Sequence, residues 1–205
     1  MANFTHFAEN MIADAWRWQP LTLADDWTIH ILTAVDKASH TKAAGTGYAP
    51  VTRARGLAEW CGTQAVGSTL PSTGATHKTS NNGLIDFGTI GAGGWGGTMV
   101  GVGLFSGADL FCWADTAPIA LTAGEQIMFA AGDLEFTLGV GNGVSNHLAN
   151  MLIDSIFRAE TLNIPVASWA AYTTTAPSNA GGGTEPNVGN YARVEIAVDP
   201  IDVSG

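Results

Sequence analysis

Two apolar runs joined by a glycine turn stand near the centre of this chain: Thr98-Met-Val-Gly-Val-Gly-Leu-Phe105 and Leu110-Phe-Cys-Trp113, with Ser106-Gly107-Ala108 between them. Short apolar runs that contain aromatic and β-branched residues and are bounded by small polar residues are typical of β-strands. A glycine within so short a connection favours a tight hairpin turn. The sequence therefore predicts an antiparallel hairpin at this point.

Further runs of the same kind lie on both sides of this hairpin, at Leu84–Ile90, Gln126–Ala131 and Glu135–Leu138. Upstream, Trp27–Val35 alternates and is rich in β-branched and aromatic residues, which predicts a longer strand. Several short strands separated by turns indicate a sandwich or barrel. We therefore predict a mainly β fold, with a β-sandwich or barrel-like module that begins with a short helix.

The predicted N-terminal helix spans residues 4–16, where apolar residues recur at helical spacing and Thr5 is a candidate cap. Its core-facing candidates are Phe7, Met11 and Trp16. Residues 63–83 are rich in Thr, Ser, Gly and Asn, and this composition predicts a long surface loop.

Part of the pattern recurs late in the chain. Asn10-Met11 and Asp14 reappear as Asn150-Met151 and Asp154, 140 positions further on. Helical spacing returns there, with Met151, Leu152 and Ile156 as core-facing candidates. The order of helix, strand, Gly-rich loop and Tyr-Ala strand also repeats. We predict a complete β-rich module at 1–139 and a partial repeat, a helix and about two strands, at 140–205.

The chain has few charged residues, and most of them are acidic. Charged residues make up 13% of the chain, against about 25% in an average domain, and the net charge is −10. A freely soluble monomer normally has a more charged surface, so we expect partners to cover much of the exterior. No basic stripe is present to neutralise phosphates, which excludes a typical nucleic-acid-binding surface.

The sequence also bears on compartment and redox state. The N-terminus lacks the basic and apolar regions of a signal peptide, and no stretch approaches the length of an apolar membrane span, so we expect synthesis in a cytoplasm without membrane insertion. The two cysteines, Cys61 and Cys112, lie in apolar contexts and are expected to be buried free thiols.

Patterns with chemical meaning are few. Gly91-Ala-Gly93-Gly-Trp-Gly96 matches the dinucleotide-binding glycines, but the strand-like run that follows favours a close-packed loop. Asp133 and Glu135 alternate along a predicted strand and are candidates for a glycosidase pair, although a solvated turn is the simpler interpretation. The five histidines show no short metal-ligand spacing. We therefore expect no cofactor, no metal and no catalytic residues.

The seven tryptophans allow two interpretations. Aromatic side chains in shallow grooves bind carbohydrate, but they are also enriched in cores and at permanent interfaces. With so few charges around them, core or interface positions are favoured.

Several motifs together resemble a small family of tailed-bacteriophage structural proteins that are usually labelled tail fibre proteins. The stretches that carry this resemblance are Asn150–Arg158, Trp169-Ala-Ala-Tyr-Thr-Thr-Thr-Ala-Pro177, Gly181-Gly-Gly-Thr-Glu185, Gly189-Asn-Tyr-Ala-Arg193, Val102-Gly-Leu-Phe105, Leu110–Trp113 and Ala130–Leu138. The first module departs from the pattern at Gly45-Thr-Gly-Tyr-Ala-Pro50, and the second lacks the hairpin and the closing strand. The resemblance implies a virion structural protein without enzymatic activity, in a tail fibre, baseplate or capsid decoration (cement) role.

The unfinished second module predicts assembly. Two strands alone are marginal in water, so 140–205 has to be completed by its own chain or by a neighbouring subunit. The residues expected near that contact are Trp169, Tyr172, Tyr191, Val194 and Ile196. The expected partners are copies of the chain in a homo-oligomer, for which we expect a trimer, and other virion proteins on the particle exterior. The alternative function is a carbohydrate-binding module that recognises a host glycan.

Overall fold

The structure is a computed structural model that describes residues 2–15, 19–138, 145–162, 167–170, 184 and 194–197. In chain order the elements are β1 Ala2–Phe4, α1 His6–Ala15, β2 Asp26–Val35, β3 His40–Lys42, β4 Val51–Ala54, β5 Lys78–Ser80, β6 Ile85–Thr89, β7 Thr98–Ser106, β8 Asp109–Ala120, β9 Gln126–Phe129, β10 Glu135–Thr137, α2 Asn146–Arg158, β11 Ala167–Ala170 and β12 Val194–Ala197. The fold is mainly β, as the sequence predicts.

The largest sheet grows from the predicted hairpin. Strands β7 and β8 pair from Ser106 and Asp109 outward, and Gly107 between them has a positive φ of 62°. Glycine adopts this left-handed conformation without a steric penalty, which explains its place in the turn. The sheet has the order β1-β8-β7-β2-β3, with β4 also paired to β2, and its pairings are antiparallel.

The smaller sheets β6–β9 and β5–β10 contribute to the same core as the large sheet. Alternate residues of β2 (Trp27, Ile29 and Ile31) have no exposed surface. They belong to one apolar cluster with Ile85 of β6 and Phe136 of β10. A core assembled from several antiparallel sheets in this way is that of a β-sandwich-like module.

Helix α1 begins two residues later than predicted. Phe4 belongs to β1, and the Thr5 hydroxyl accepts the Ala8 backbone N–H at 3.3 Å, which confirms the predicted cap. Ala8 is fully buried, whereas Phe7 is 36% exposed and Met11 is only half-buried. Helical spacing thus located the side of α1 that faces the sheet. It also predicted burial for residues that stay partly exposed, Phe7 and Met11. Trp16 lies outside the described residues.

The prediction of a surface loop at 63–83 is wrong for part of that segment. Strand β5 pairs with β10, and the Trp60 and Asn81 backbones form an isolated bridge. Several polar side chains of the segment are buried, namely Thr63, Ser72, His77, Thr79, Ser80 and Asn81. They are tolerated there because other groups satisfy them: the Thr79 hydroxyl, for example, donates to the Cys61 carbonyl at 2.7 Å.

Candidate functional site

Helix α2 opens the segment that the sequence predicts to be the assembly element. Ser145 caps its start, since its hydroxyl accepts the Leu148 N–H at 3.3 Å. Ala159 ends it in a left-handed conformation, with φ 56°, and its N–H donates to the Asp154 carbonyl.

The apolar face of α2 packs into the main core. Leu152 is 4% exposed and Ile156 is fully buried, and both belong to the cluster that contains the strand residues. The Phe157 ring lies 5.5 Å from the rings of both Trp60 and Phe136, measured between centroids. Helix α2 is therefore an integral part of the core formed with the strands of 1–138. Met151 is only half-buried and faces the protein surface beside a cavity.

Arg55 joins the C-terminal turn of α2 to the strand region. Its Nε donates to the Ile156 carbonyl at 2.7 Å, and its Nη2 donates to the Ser155 carbonyl. A cation at a helix C-terminus satisfies carbonyls that have no partner within the helix and interacts favourably with the helix dipole. Burial lowers the pKa of Arg55, and the nearby Asp25 carboxylate opposes this shift.

A second stripe of α2 is polar and also buried. It consists of Asn150, Asp154 and Arg158, which are four residues apart and therefore share one side of the helix. Asp154 accepts the Ser72 backbone N–H at 2.7 Å and the Arg158 Nη1–H at 2.6 Å. Asn150 donates to the Gly74 carbonyl at 3.0 Å. These contacts hold the segment around Ser72 against the helix.

Beyond α2, the structure describes a short hairpin. Strands β11 and β12 are antiparallel, with Trp169 opposite Glu195, Ile196 opposite Ser168 and Val194 opposite Ala170. The structure thus describes the backbone of three of the five residues predicted near a subunit contact. The other two, Tyr172 and Tyr191, lie outside the described residues.

The glycines at 91–97 form a tightly packed loop, as the sequence predicts. A Cβ on Gly91 would lie 2.2 Å from the Thr46 carbonyl oxygen, and one on Gly94 would lie 2.7 Å from that of Leu121. The loop leads into β7 and encloses the fully buried Trp95. Gly91 and Gly94 permit close packing of backbone on backbone, whereas a Cβ on Gly93 would meet no atom within 4 Å. The element that follows is a strand rather than the helix that a dinucleotide site requires.

The tryptophans whose side chains the structure describes are core residues. Trp27, Trp60 and Trp95 have no exposed surface, and Trp113 is 6% exposed. These four rings are thus unavailable for stacking on a sugar at the surface. Both Cys61 and Cys112 are buried free thiols, and burial raises the pKa of Cys112.

The carboxylates considered for catalysis have structural partners. Asp133 accepts the Ala130 N–H at 2.8 Å, and Glu135 pairs with Lys78 at 2.6 Å on the surface. Within the described ranges, no group of three or more His, Cys, Asp or Glu side chains is arranged to hold a metal ion. None of the helices in the described part of the chain is long and apolar enough to cross a membrane.

Three cationic or titratable side chains surround the buried Phe105 ring. Lys42 Nζ lies 4.0 Å from the ring centroid. The imidazoles of His30 and His40 are steeply inclined to the ring, with centroids 4.9 and 5.0 Å from its centroid. The His30 Nδ1 atom lies 3.2 Å from the Tyr48 hydroxyl. Burial, with the charges of Lys42 and His40, lowers the pKa of His30 to about 4. Sequence patterns gave no signal for this cluster.

Comparison with known protein families finds that the C-terminal segment is similar to a phage fibre family, in line with the tail-fibre-type resemblance that the motifs predict. Residues 143–204 match the family model described as Podophage GP4 fiber I protein gp80. The matched segment is just under a third of the chain and includes α2, β11 and β12. Comparisons with curated proteins and with solved structures gave no match.

Proposed function

We propose that this chain is a non-enzymatic structural protein on the exterior of a phage particle, where it assembles with copies of itself and other virion proteins. The observation that carries the proposal is the coincidence of two boundaries. The fibre-family match covers 143–204, and the incomplete repeat predicted to need a neighbour covers 140–205. The low charge content fits an exterior covered by partners.

The core packing of α2 supports a subunit contact beyond the helix rather than on it. Because Leu152, Ile156 and Phe157 are already buried in their own chain, α2 is occupied in the monomer. The residues available for assembly are then those beyond Leu162. A two-stranded hairpin such as β11–β12 is marginal by itself and gains stability by pairing or packing on another sheet. We propose that the subunit contact lies there, in a homo-oligomer for which we propose a trimer.

A shortened chain that keeps α2 tests the proposal. Truncation after Leu138 would remove α2 from the core and unfold the protein, so the cut belongs after Leu162. We expect residues 1–162 to fold, by circular dichroism and a cooperative thermal transition, and to run as a monomer in multi-angle light scattering. The full chain should give an integer multiple of the monomer mass.

Two further results decide the location of the contact. In the full chain, Trp169→Ala and Ile196→Asp should lower the oligomer mass. Each dissociated variant should melt no lower than residues 1–162 do. If residues 1–162 retain the oligomer mass of the full chain, the segment beyond α2 is not the assembly element. Immunogold labelling of intact virions distinguishes tail fibre, baseplate and capsid decoration roles.

A further inference from the structure

A second, smaller apolar cluster lies on the opposite face of the large sheet from the main core. Ile31 of β2 belongs to the main core, whereas the next residue, Leu32, belongs to the second cluster. Successive residues of a strand point to opposite faces, so the sheet separates the two clusters. Phe105 of β7 belongs to the second cluster and is fully buried. The side chains packed around Phe105 on this face therefore keep its ring out of water.

Basic side chains make up part of this cover. Lys42 Nζ and the imidazole centroids of His30 and His40 all lie within 5.0 Å of the Phe105 ring centroid. His30 belongs to β2, and its Nδ1 atom lies 3.2 Å from the Tyr48 hydroxyl. His40 and Lys42 belong to β3, the strand at the edge of the sheet. One permanent cation and two groups that become cations in acid thus meet around one apolar ring.

Within the described ranges, these three basic groups have no carboxylate partner, since no hydrogen bond or ion pair joins them to an aspartate or glutamate. The other titratable groups near the imidazole of β3 line a cavity beside it: His6, Asp36, Lys37 and Asp109. The Asp36 carboxylate accepts the N–H groups of its own turn, and His6 and Lys37 both pair with Glu9. Protonation of either imidazole therefore adds positive charge beside Lys42 without a paired carboxylate.

The pKa values of both imidazoles reflect this imbalance. Burial, with the charges of Lys42 and His40, lowers the pKa of His30 to about 4, and burial with the charge of Lys42 lowers the pKa of His40. A solvated histidine has a pKa near 6.5, so a state in which these side chains reach water binds more protons below that pH. Acid therefore favours an open state, by up to tenfold per pH unit for each imidazole.

Strand β3 is attached to the sheet by a short stretch of backbone. It has three residues and pairs, among the described strands, only with Leu32–Val35 of β2, where the register is irregular. One further backbone hydrogen bond runs from the Ala43 N–H to the Ile31 carbonyl at 2.9 Å. Strand β4 pairs with a separate part of β2, at Asp26–Ile29, so β3 can leave without breaking that pairing. Such short edge elements open locally at a lower free energy than the core of a fold.

We infer that β3 is an acid-released edge strand: protonation of the two imidazoles beside Lys42 detaches it from β2 and uncovers the Phe105 ring, while the main core stays folded. The main core consists of apolar contacts that involve none of the three basic groups. In the released form, the Leu32–Val35 edge of β2 has lost its neighbour, and such an edge is a template for pairing with another strand. The device lies within one chain and does not depend on a role in a virion.

Amide hydrogen exchange of the full chain, followed by NMR and corrected for the intrinsic pH dependence of exchange, tests this inference. The Ala43 N–H reports on the attachment of β3. The Leu104 N–H lies in β7, between β2 and β8, and reports on the core. Between pH 7.0 and pH 5.0, we expect the protection factor of Ala43 to fall at least tenfold. At pH 5.0 it should also be at least tenfold lower than that of Leu104, because β3 opens locally.

Two variants and a control assign the effect to the basic groups. In His30→Gln/His40→Gln, the protection of Ala43 should change less than about threefold between the two pH values, since neither position can gain a charge. His147→Gln, at an exposed position on α2, is the matched control and should behave as the parent does. Lys42→Met guards against poor folding of the double variant, because it keeps an apolar stem beside the ring and removes only the permanent charge. The fall in Ala43 protection should then be smaller than in the parent.

The outcomes that overturn the inference are distinct from a loss of folding. Equal protection of Ala43 and Leu104 at pH 5.0 would show that β3 opens only when the whole protein unfolds. A fall in Ala43 protection that is as large in the double variant as in the parent would show that the imidazoles do not cause the release. Unchanged protection of Ala43 in the parent between the two pH values would show that acid does not release β3.

Discussion

The Ser72 hydroxyl donates to the Asp154 carboxylate across 2.5 Å, so a residue from a predicted surface loop anchors the second helix. The same carboxylate is the counter-ion of the buried Arg158. Removing one partner of a buried ion pair leaves an uncompensated charge and costs about 3–5 kcal/mol. Asp154→Ala should therefore lower the free energy of unfolding by about that amount in urea titrations. The double variant Asp154→Ala/Arg158→Met should recover part of the loss.

A surface ion pair provides the control for this experiment. Lys78 and Glu135 pair at 2.6 Å with about half of each side chain exposed, and such pairs contribute about 0–1 kcal/mol. Glu135→Ala should leave the urea midpoint nearly unchanged. If Asp154→Ala and Glu135→Ala lower the free energy of unfolding equally, the buried pair does not hold the segment at Ser72 against α2.

The second prediction concerns acid stability. Because the pKa of His30 is about 4 in the folded protein and near 6.5 in an unfolded chain, the unfolded chain binds more protons between these values. The contribution of neutral His30 to the free energy of unfolding is complete above pH 6.5 and is lost as the pH falls toward 4. Burial and the positive charge of Lys42 cause the loss. The lowered pKa of His40 acts in the same direction.

Melting temperatures at pH 7.0 and pH 4.5 measure this effect. His30→Gln retains an acceptor for the Tyr48 hydroxyl but cannot acquire a charge, so its melting temperature should fall less between the two pH values than that of the parent. His147→Gln, at an exposed position on α2, is the control. An equal fall in melting temperature between pH 7.0 and pH 4.5 in His30→Gln and in the parent would contradict the assignment of the acid sensitivity to His30.

How far the sequence predicts this fold depends on the range of the interactions involved. Alternation at Trp27–Val35 and the glycine turn at 106–108 are local signals, and both elements are confirmed. The burial of Ser72 was missed because its partner, Asp154, is 82 residues away and a polar composition alone indicates exposure.

The third prediction separates the two sides of α2. Ile156 has no exposed surface and lies in the core, so Ile156→Ala leaves a cavity and should cost about 2–5 kcal/mol of unfolding free energy. Met151 is half-buried beside the surface cavity, so Met151→Ala should cost clearly less. Urea unfolding of the two variants measures the difference. Equal losses would mean that Met151 contributes to the core as much as Ile156 does.

The fourth prediction concerns Gly91 in the loop at 91–97, where lack of space requires a glycine. Gly91→Ala would place a methyl group 2.2 Å from the Thr46 carbonyl oxygen, so the backbone has to shift and thermal stability should fall by several degrees. Gly83→Ala is the matched control, because its Cβ meets no atom within 4 Å and its φ is not positive. It should melt as the parent does or slightly higher, since alanine restricts the unfolded chain.

Nucleotide addition completes the test of this loop. A ligand that binds the native state raises its melting temperature, so millimolar ATP or NAD should leave the melting temperature of the parent unchanged if the glycines only permit close packing. A clear rise with either nucleotide that disappears in Gly91→Ala would show that the loop is a phosphate-binding site. Unequal melting of Gly91→Ala and Gly83→Ala with no nucleotide effect is the result that tight packing predicts.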